Sequence, residues 1–247
     1  KDEPQHEVMG KITRELLNLL NIKFCIIKND NDLKNLGKII AFSKKNKVPV
    51  ACLVEKNVFS KSQNLKKPKI KKYLSRANFF EVFLKKIKHN THLISTTGYS
   101  SRELLQTRKK YNLKKGKDFY MVGGMGHSSS VALGYALHSK KKVFCLDGDG
   151  SVLMHLGALR TIGFLKNDNY KHILFNNNSH ESVGGQTTTA SGIDFKELSK
   201  SIGYKHYFKI DDKNKIKLKI KKFIKTKGPS LLEVRINNGA LDNLSRP

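Results

Sequence analysis

The chain has 247 residues, enough for one large or two small globular domains, and its 38% hydrophobic content supplies a core and excludes general disorder. No run approaches the roughly 20 apolar residues of a membrane span, and the charged opening KDEPQHEVMG has no apolar signal core, so the expectation is a cytoplasmic protein with no membrane partner. The net charge of +28 would suit a nucleic-acid binder, but the basic residues are nearly all Lys, scattered along the chain among many Asn and Ile; that pattern fits solvated helix faces and compositional drift, with only loose adhesion to nucleic acid at low salt and no specific nucleic-acid partner.

Val8, Ile12, Leu16, Leu19 and Leu20 lie at helical spacing and predict a helix over 7–20. A short buried strand (24–28), a helix (31–46) and a second strand (48–55) follow. This αβαβ run has no opening partner strand, which reads as the later part of a domain whose upstream half is absent. The three cysteines, Cys25, Cys52 and Cys145, are widely separated in apolar surroundings, so buried reduced thiols are expected rather than a disulfide framework or a Cys metal cluster. Residues 56–73, ending in the cluster KKPKIKK (66–72), have little apolar periodicity and read as a linker.

A longer series comes next, with helices over 75–88, 100–110, 127–138, 152–165, 194–202 and 213–225. Strands are expected over 92–97, 142–149, 172–177, 204–209 and 230–236. Short apolar runs alternating with amphipathic helices specify an α/β fold, a parallel sheet with helices on both faces. Ligands of such sheets sit beyond the carboxyl ends of the strands, and the polar, Gly-rich runs of this chain fall there.

One of these runs is LDGDGS (146–151). Gly148 and Gly150 let the backbone approach a phosphate, the following helix offers unpaired N–H groups, and Ser151 can cap or donate. Asp149 would repel that phosphate unless a cation lay between them, so the pairing implies a divalent ion such as Mg²⁺. Alone, the loop fits equally well an Asx turn in which Asp147 and Asp149 cap a helix at 152. In a second run, HILF leads into Asn176, Asn177, Asn178, Ser179, His180 and Glu181. Asn177 stands 28 positions after Asp149, one helix and one strand later, so adjacent strand ends would bring both oxygens to one metal shell.

GDGS followed after a helix and a strand by NN resembles the signature of thiamine-diphosphate-dependent enzymes, and the resemblance covers residues 75–236. It implies the thiamine-diphosphate-binding fold, with thiamine diphosphate and Mg²⁺ as cofactors. Asp149, Asn177 and the backbone oxygen of Ser179 would hold the metal. GGMGHSSS (123–130) is similar to another family segment, in which the Gly123 carbonyl would meet the aminopyrimidine and Met125 would prop the bent cofactor; packing in the core is the alternative reading of Met125. Gly98 and Tyr99, in TTGYSSRE, would complete the diphosphate-facing loops with Gly148, Gly150 and Ser151.

Residues 1–55 resemble the end of the family's pyrimidine-binding domain and 74–247 its diphosphate-binding domain. None of Glu3, Glu7, Glu15 or Glu55 sits in a segment like the one that carries the cofactor-activating Glu. The other half of the site would then come from a homo-oligomer or from a separate pyrimidine-binding chain. Within the family, DEPQHEVMGKIT, STTGYSSREL, GGMGHSSSVALGYAL and FNNNSHESVGGQTT most resemble decarboxylases of a small anionic 2-oxo acid. Phosphonopyruvate is the expected substrate and sulfopyruvate the alternative, a non-catalytic cofactor-binding subunit being a third reading. Asn178, Ser179 and Gly124 depart from that pattern. His180 and His127 are candidates for proton transfer or phosphonate contact, and Arg102 for pairing with a substrate anion, although each could equally be a bystander.

Overall fold

The computed structural model describes residues 6–60, 73–113 and 116–247. The Lys cluster at 66–72, much of the expected linker and Glu3 lie outside the described residues. The chain divides into two compact units, residues 1–67 and 68–247. In the described part of the first, α1 (Glu7–Leu19) and α2 (Leu33–Asn46) alternate with β1 (Lys23–Ile27) and β2 (Val50–Val54), which pair in parallel. A capping box of Asn29 and Asp32 starts the turn into α2. The expectation of buried thiols fails here, because a sheet of two described strands covers little: Cys52 is exposed and its register partner Cys25 half-buried. Cys145, in the second unit, is buried.

The second unit carries α3 (Arg76–Leu84), β3 (His92–Ser95), α4 (Tyr99–Lys110), β4 (Lys117–Tyr120), α5 (Ser128–Leu137) and β5 (Val143–Gly148). After these come α6 (Asp149–Met154), α7 (Leu156–Leu165), β6 (Tyr170–Asn176), α8 (Phe195–Ser201), β7 (His206–Ile210), α9 (Ile216–Lys225) and β8 (Ser230–Arg235). Its described strands form one parallel sheet in the order β4-β3-β5-β6-β8-β7.

Side-chain alternation explains how both faces of that sheet are filled. On β5 and β6, Phe144, Leu146, Ile173 and Phe175 join the aromatic cluster of Phe79, Phe80 and Phe83 from α3 and Phe223 from α9. Val143, Cys145, Tyr170 and Leu174 point the other way, to Ala132 of α5, Leu159 of α7 and Phe195 of α8. That second face also buries His172, whose Nε2 lies 3.5 Å from Asp147 Oδ2 and whose Nδ1 is 3.0 Å from the Tyr204 hydroxyl. Lys171 is buried on the aromatic face; its ammonium donates to Ser230 Oγ at 3.0 Å and to the Thr226 carbonyl. Most of the lysine-rich run over 215–227 forms the amphipathic helix α9, with Ile220 and Phe223 buried and Lys217, Lys221, Lys222 and Lys225 in solvent.

Two departures from the sequence reading concern the site. The single helix expected over 152–165 is two, broken at His155 (φ −137°, ψ 50°), and the first begins at Asp149 because Gly148 is extended (φ −113°, ψ 158°) and occupies the cap position. Strand β4, four residues at the sheet edge, is an element that the apolar pattern of the sequence does not predict. No helix among the described residues is long and apolar enough to cross a membrane.

Candidate active site

Strands β3, β5 and β6 are neighbours, so the segments leaving their carboxyl ends converge. After β3 the chain turns at Gly98 (φ +88°) into α4; a side chain there would collide with Ser182 of the loop after β6, a Cβ lying 2.7 Å from Ser182 Oγ. After β5 it passes through Gly148 directly into α6. After β6 it runs through Asn177 to Gly185. These segments and Met125, from the loop before α5, enclose one cleft lined by Thr96, Tyr99, Gly148, Asp149, Gly150, Ser151, Asn177, Ser179 and His180.

The loops are pinned to one another by side chains. Ser151 Oγ accepts from the Gly126 N–H at 3.1 Å and shares a 3.0 Å hydrogen bond with Thr96 Oγ1, so one buried hydroxyl joins three segments. Asp149 is only 2% exposed, and its Oδ2 accepts from Thr188 Oγ1 at 2.6 Å. Burial pushes its carboxyl above the ordinary aspartate range, while the Thr188 hydroxyl, nearby backbone N–H groups and His180 act in the opposite sense. Asn177 Oδ1 accepts from the Ser179 N–H at 3.1 Å, and its Nδ2 donates to Glu181 Oε2 at 3.2 Å. Asp147, an alternative cap in the sequence, instead accepts from the Gly148 N–H at 3.0 Å.

Most residues singled out in the sequence meet in this cleft. Asp149, Asn177, Ser179, Tyr99, Met125, Gly148, Gly150, Ser151 and His180 all line it, and Gly98 borders it. Gly123 (φ +71°) is half-buried in the preceding loop and is not in the lining. Neither His127 nor Arg102 lines the cleft: His127 is exposed, its Nδ1 3.2 Å from the Gly124 carbonyl and its ring tilted against that of His155 with centroids 4.1 Å apart, and Arg102 lies half-buried along α4.

The buried guanidinium of the cleft is Arg76, which the sequence reading passed over. Its Nη1 donates to Glu103 Oε2 at 2.8 Å and its Nη2 to Glu181 Oε2 at 3.5 Å. Nothing in SRANFF distinguishes Arg76 from an ordinary first-turn residue, and Glu103 sits in a mixed polar helix. Only the adjacency of Glu181 to His180 offered a signal. Thr188, likewise missed, lies in the turn-rich SVGGQTTT.

The donor set suits a hard cation: a buried carboxylate whose charge lacks solvation, an amide oxygen and, in the same lining, the Ser179 backbone. Gly150 lets the His180 ring lie directly against the first turn of α6, since a Cβ there would lie 2.4 Å from His180 Cε1, and it leaves the N–H groups of that turn without a side chain beside them. These residues fit Mg²⁺ and a diphosphate.

Residues 96–234 match the family model described as thiamine pyrophosphate enzyme, C-terminal TPP binding domain, and the chain belongs to this family. It is 33% identical over 265 residues to phosphonopyruvate decarboxylase of Streptomyces viridochromogenes, an alignment that takes in all of this chain and 65% of that protein. The chain thus spans somewhat less than two thirds of that relative's length. Sulfopyruvate decarboxylase subunit beta of Methanocaldococcus jannaschii is 35% identical over 132 residues, 53% of this chain and 68% of that one. Among solved structures, the thiamine diphosphate-dependent 4-hydroxybenzoylformate decarboxylase of Rhodococcus jostii RHA1 aligns with a TM-score of 0.56 at 19% identity, over 76% of this chain and 37% of that chain. That likeness bears out the expected fold, and the family match bears out the expected cofactor.

Proposed function

We propose that this chain forms the diphosphate- and Mg²⁺-binding part of a thiamine-diphosphate-dependent decarboxylase that converts phosphonopyruvate to phosphonoacetaldehyde and CO₂. The observation that carries the reading is the meeting of Asp149 and Asn177, from adjacent strand ends, in one cleft with a Gly-lined wall. The similarity over the whole chain to phosphonopyruvate decarboxylase supports the substrate.

When bound, thiamine diphosphate supplies a carbon nucleophile for the 2-oxo group and a sink for the electron pair left by CO₂. Asp149 and Asn177 hold the ion that neutralises the diphosphate, with the Ser179 carbonyl as third protein oxygen. Thr188, by donating to Asp149, favours its ionised form against the effect of burial. His180, against Gly150 in the wall, is the candidate to deliver the proton that replaces the departing carboxylate. The beta-subunit relatives support an oligomeric enzyme in which a partner subunit contributes to the site.

The test is CO₂ release by the assembled enzyme from phosphonopyruvate, sulfopyruvate and pyruvate at equal concentration. Phosphonopyruvate is expected to be fastest. Preference for sulfopyruvate, the second reading favoured by the beta-subunit similarity, would replace the substrate; no decarboxylation of any of the three would overturn the activity.

A further inference from the structure

Glu181 and Glu103 do more than neutralise Arg76. Besides receiving the Asn177 amide and the Arg76 guanidinium on Oε2, Glu181 accepts on Oε1 from the backbone N–H of Gly239. Glu103, 1% exposed, accepts from Arg76 on Oε2 and from the backbone N–H of Leu241 on Oε1 at 3.0 Å. The segment beyond β8 thus returns across the carboxyl ends of the strands and caps both carboxylates. It is anchored before that: the Ile236 N–H donates to the Asn176 carbonyl at 3.1 Å, and the Asn237 side chain accepts from the Tyr73 N–H at 2.9 Å.

We infer that residues 237–241 are a latch on the metal loop, with Glu181 as the positioning residue that transmits it to Asn177. The inference rests on the assignment of Asn177 as a metal ligand. An amide ligates through its oxygen only while its nitrogen is held the other way; the Ser179 N–H marks the oxygen side of Asn177, and Glu181 Oε2 is the acceptor that holds the nitrogen. Glu181 is itself fixed by two donors, Arg76 and Gly239. Releasing the Gly239 N–H frees one oxygen of Glu181 and loosens the rotamer on which Asn177 depends. Arg76 also cannot serve as a loose counter-ion: it is 6% exposed, bound to both carboxylates, and its Nε has no hydrogen-bond partner. Three carboxylates and one guanidinium around the cleft leave an excess of negative charge within a chain of +28, which favours a divalent cation there.

Coupling of this kind is reciprocal: a latch that raises cation affinity must be tightened by the cation. The experiment combines calorimetry of thiamine diphosphate binding in the presence of Mg²⁺ with amide hydrogen exchange over 237–241, on the full chain and on Glu181→Gln, Glu103→Gln and Asp149→Ala. Glu181→Gln keeps the shape but presents an amide to three donors, and it is expected to weaken affinity about tenfold or more with little change in Tm. Glu103→Gln, which does not touch Asn177, is expected to weaken it less. Mg²⁺ with cofactor is expected to slow exchange at Gly239 and Leu241 in the wild type but not in Glu181→Gln. Unchanged affinity in Glu181→Gln, or exchange in the wild type indifferent to Mg²⁺ and cofactor, overturns the latch. Asp149→Ala separates the two readings: wild-type affinity in that variant overturns the metal site itself, whereas loss there without loss in Glu181→Gln removes the latch alone.

Discussion

Asp149 and Thr188 stand 39 positions apart in the chain and are joined by a 2.6 Å hydrogen bond, one from the first turn after β5 and the other from the end of the loop after β6. The hydroxyl donates to a carboxyl that burial makes harder to ionise. Mg²⁺ takes only the ionised form, so protons compete with the metal, and affinity falls as pH is lowered through the raised carboxyl pKa. Thr188→Val removes a group that favours ionisation and is expected to move the pH midpoint of Mg²⁺-dependent thiamine diphosphate binding upward. An unmoved or lowered midpoint, followed by calorimetry across a pH series, would show that Asp149 does not control the ion.

Ser151→Ala tests the hydroxyl that joins three loops. The substitution leaves the buried Gly126 N–H and the Thr96 hydroxyl short of a partner, at a cost of about 1–3 kcal/mol. Urea unfolding should show this loss, with cofactor affinity lowered as well because the loops lose their common anchor. Undiminished stability would mean that water replaces the hydroxyl.

Gly150→Ala sets two effects against each other. Within a helix, Ala is favoured over Gly by about 1 kcal/mol. Here, however, the new methyl would lie 2.4 Å from His180 Cε1 and 3.3 Å from Thr188 Cγ2, so it must push the ring and disturb the Asp149 partner. Expected is a folded protein with weaker cofactor binding and slower CO₂ release. Wild-type turnover in this variant would place His180 away from the reacting groups.

Lys171 gives the fold a pH dependence of its own. Burial among aromatic rings, with Lys142 nearby, pushes its ammonium down to about 8. Between there and the ordinary lysine value the unfolded chain binds more protons than the folded one, so stability rises with pH over that window, by up to about 3 kcal/mol. Below pH 8 this contribution is constant and unfavourable. Lys171→Met should abolish the rise in a series of denaturant titrations from pH 7.5 to 10.5; an identical slope in the variant would assign it to other groups.

How far the site could be read from the residues follows from what holds it. Alternation on β5 and β6 and the spacing of Ile220 and Phe223 are local patterns, so the sheet and its covering helices were legible in outline. Asp149 and Asn177 could be paired because both follow strands that are adjacent in order. β4 escaped because KDFY is too short to show a period, and the break at His155 because no Pro marks it. Arg76, Glu103, Thr188 and Gly239 come together only through the strand order and the returning segment, which no window of sequence contains.

The order β6-β8-β7 has a consequence for synthesis. β8 is inserted between two strands made before it, so β7 has no described neighbour and the buried faces of Phe175 and Lys171 stay open on one side until Arg235 has left the ribosome. A nascent chain halted before residue 230 would expose one unpaired edge of β6 and both edges of β7, the condition under which parallel sheets recruit chaperones or each other. Timing the appearance of protease resistance during translation should therefore show one late step, at the emergence of β8, rather than gradual gain strand by strand.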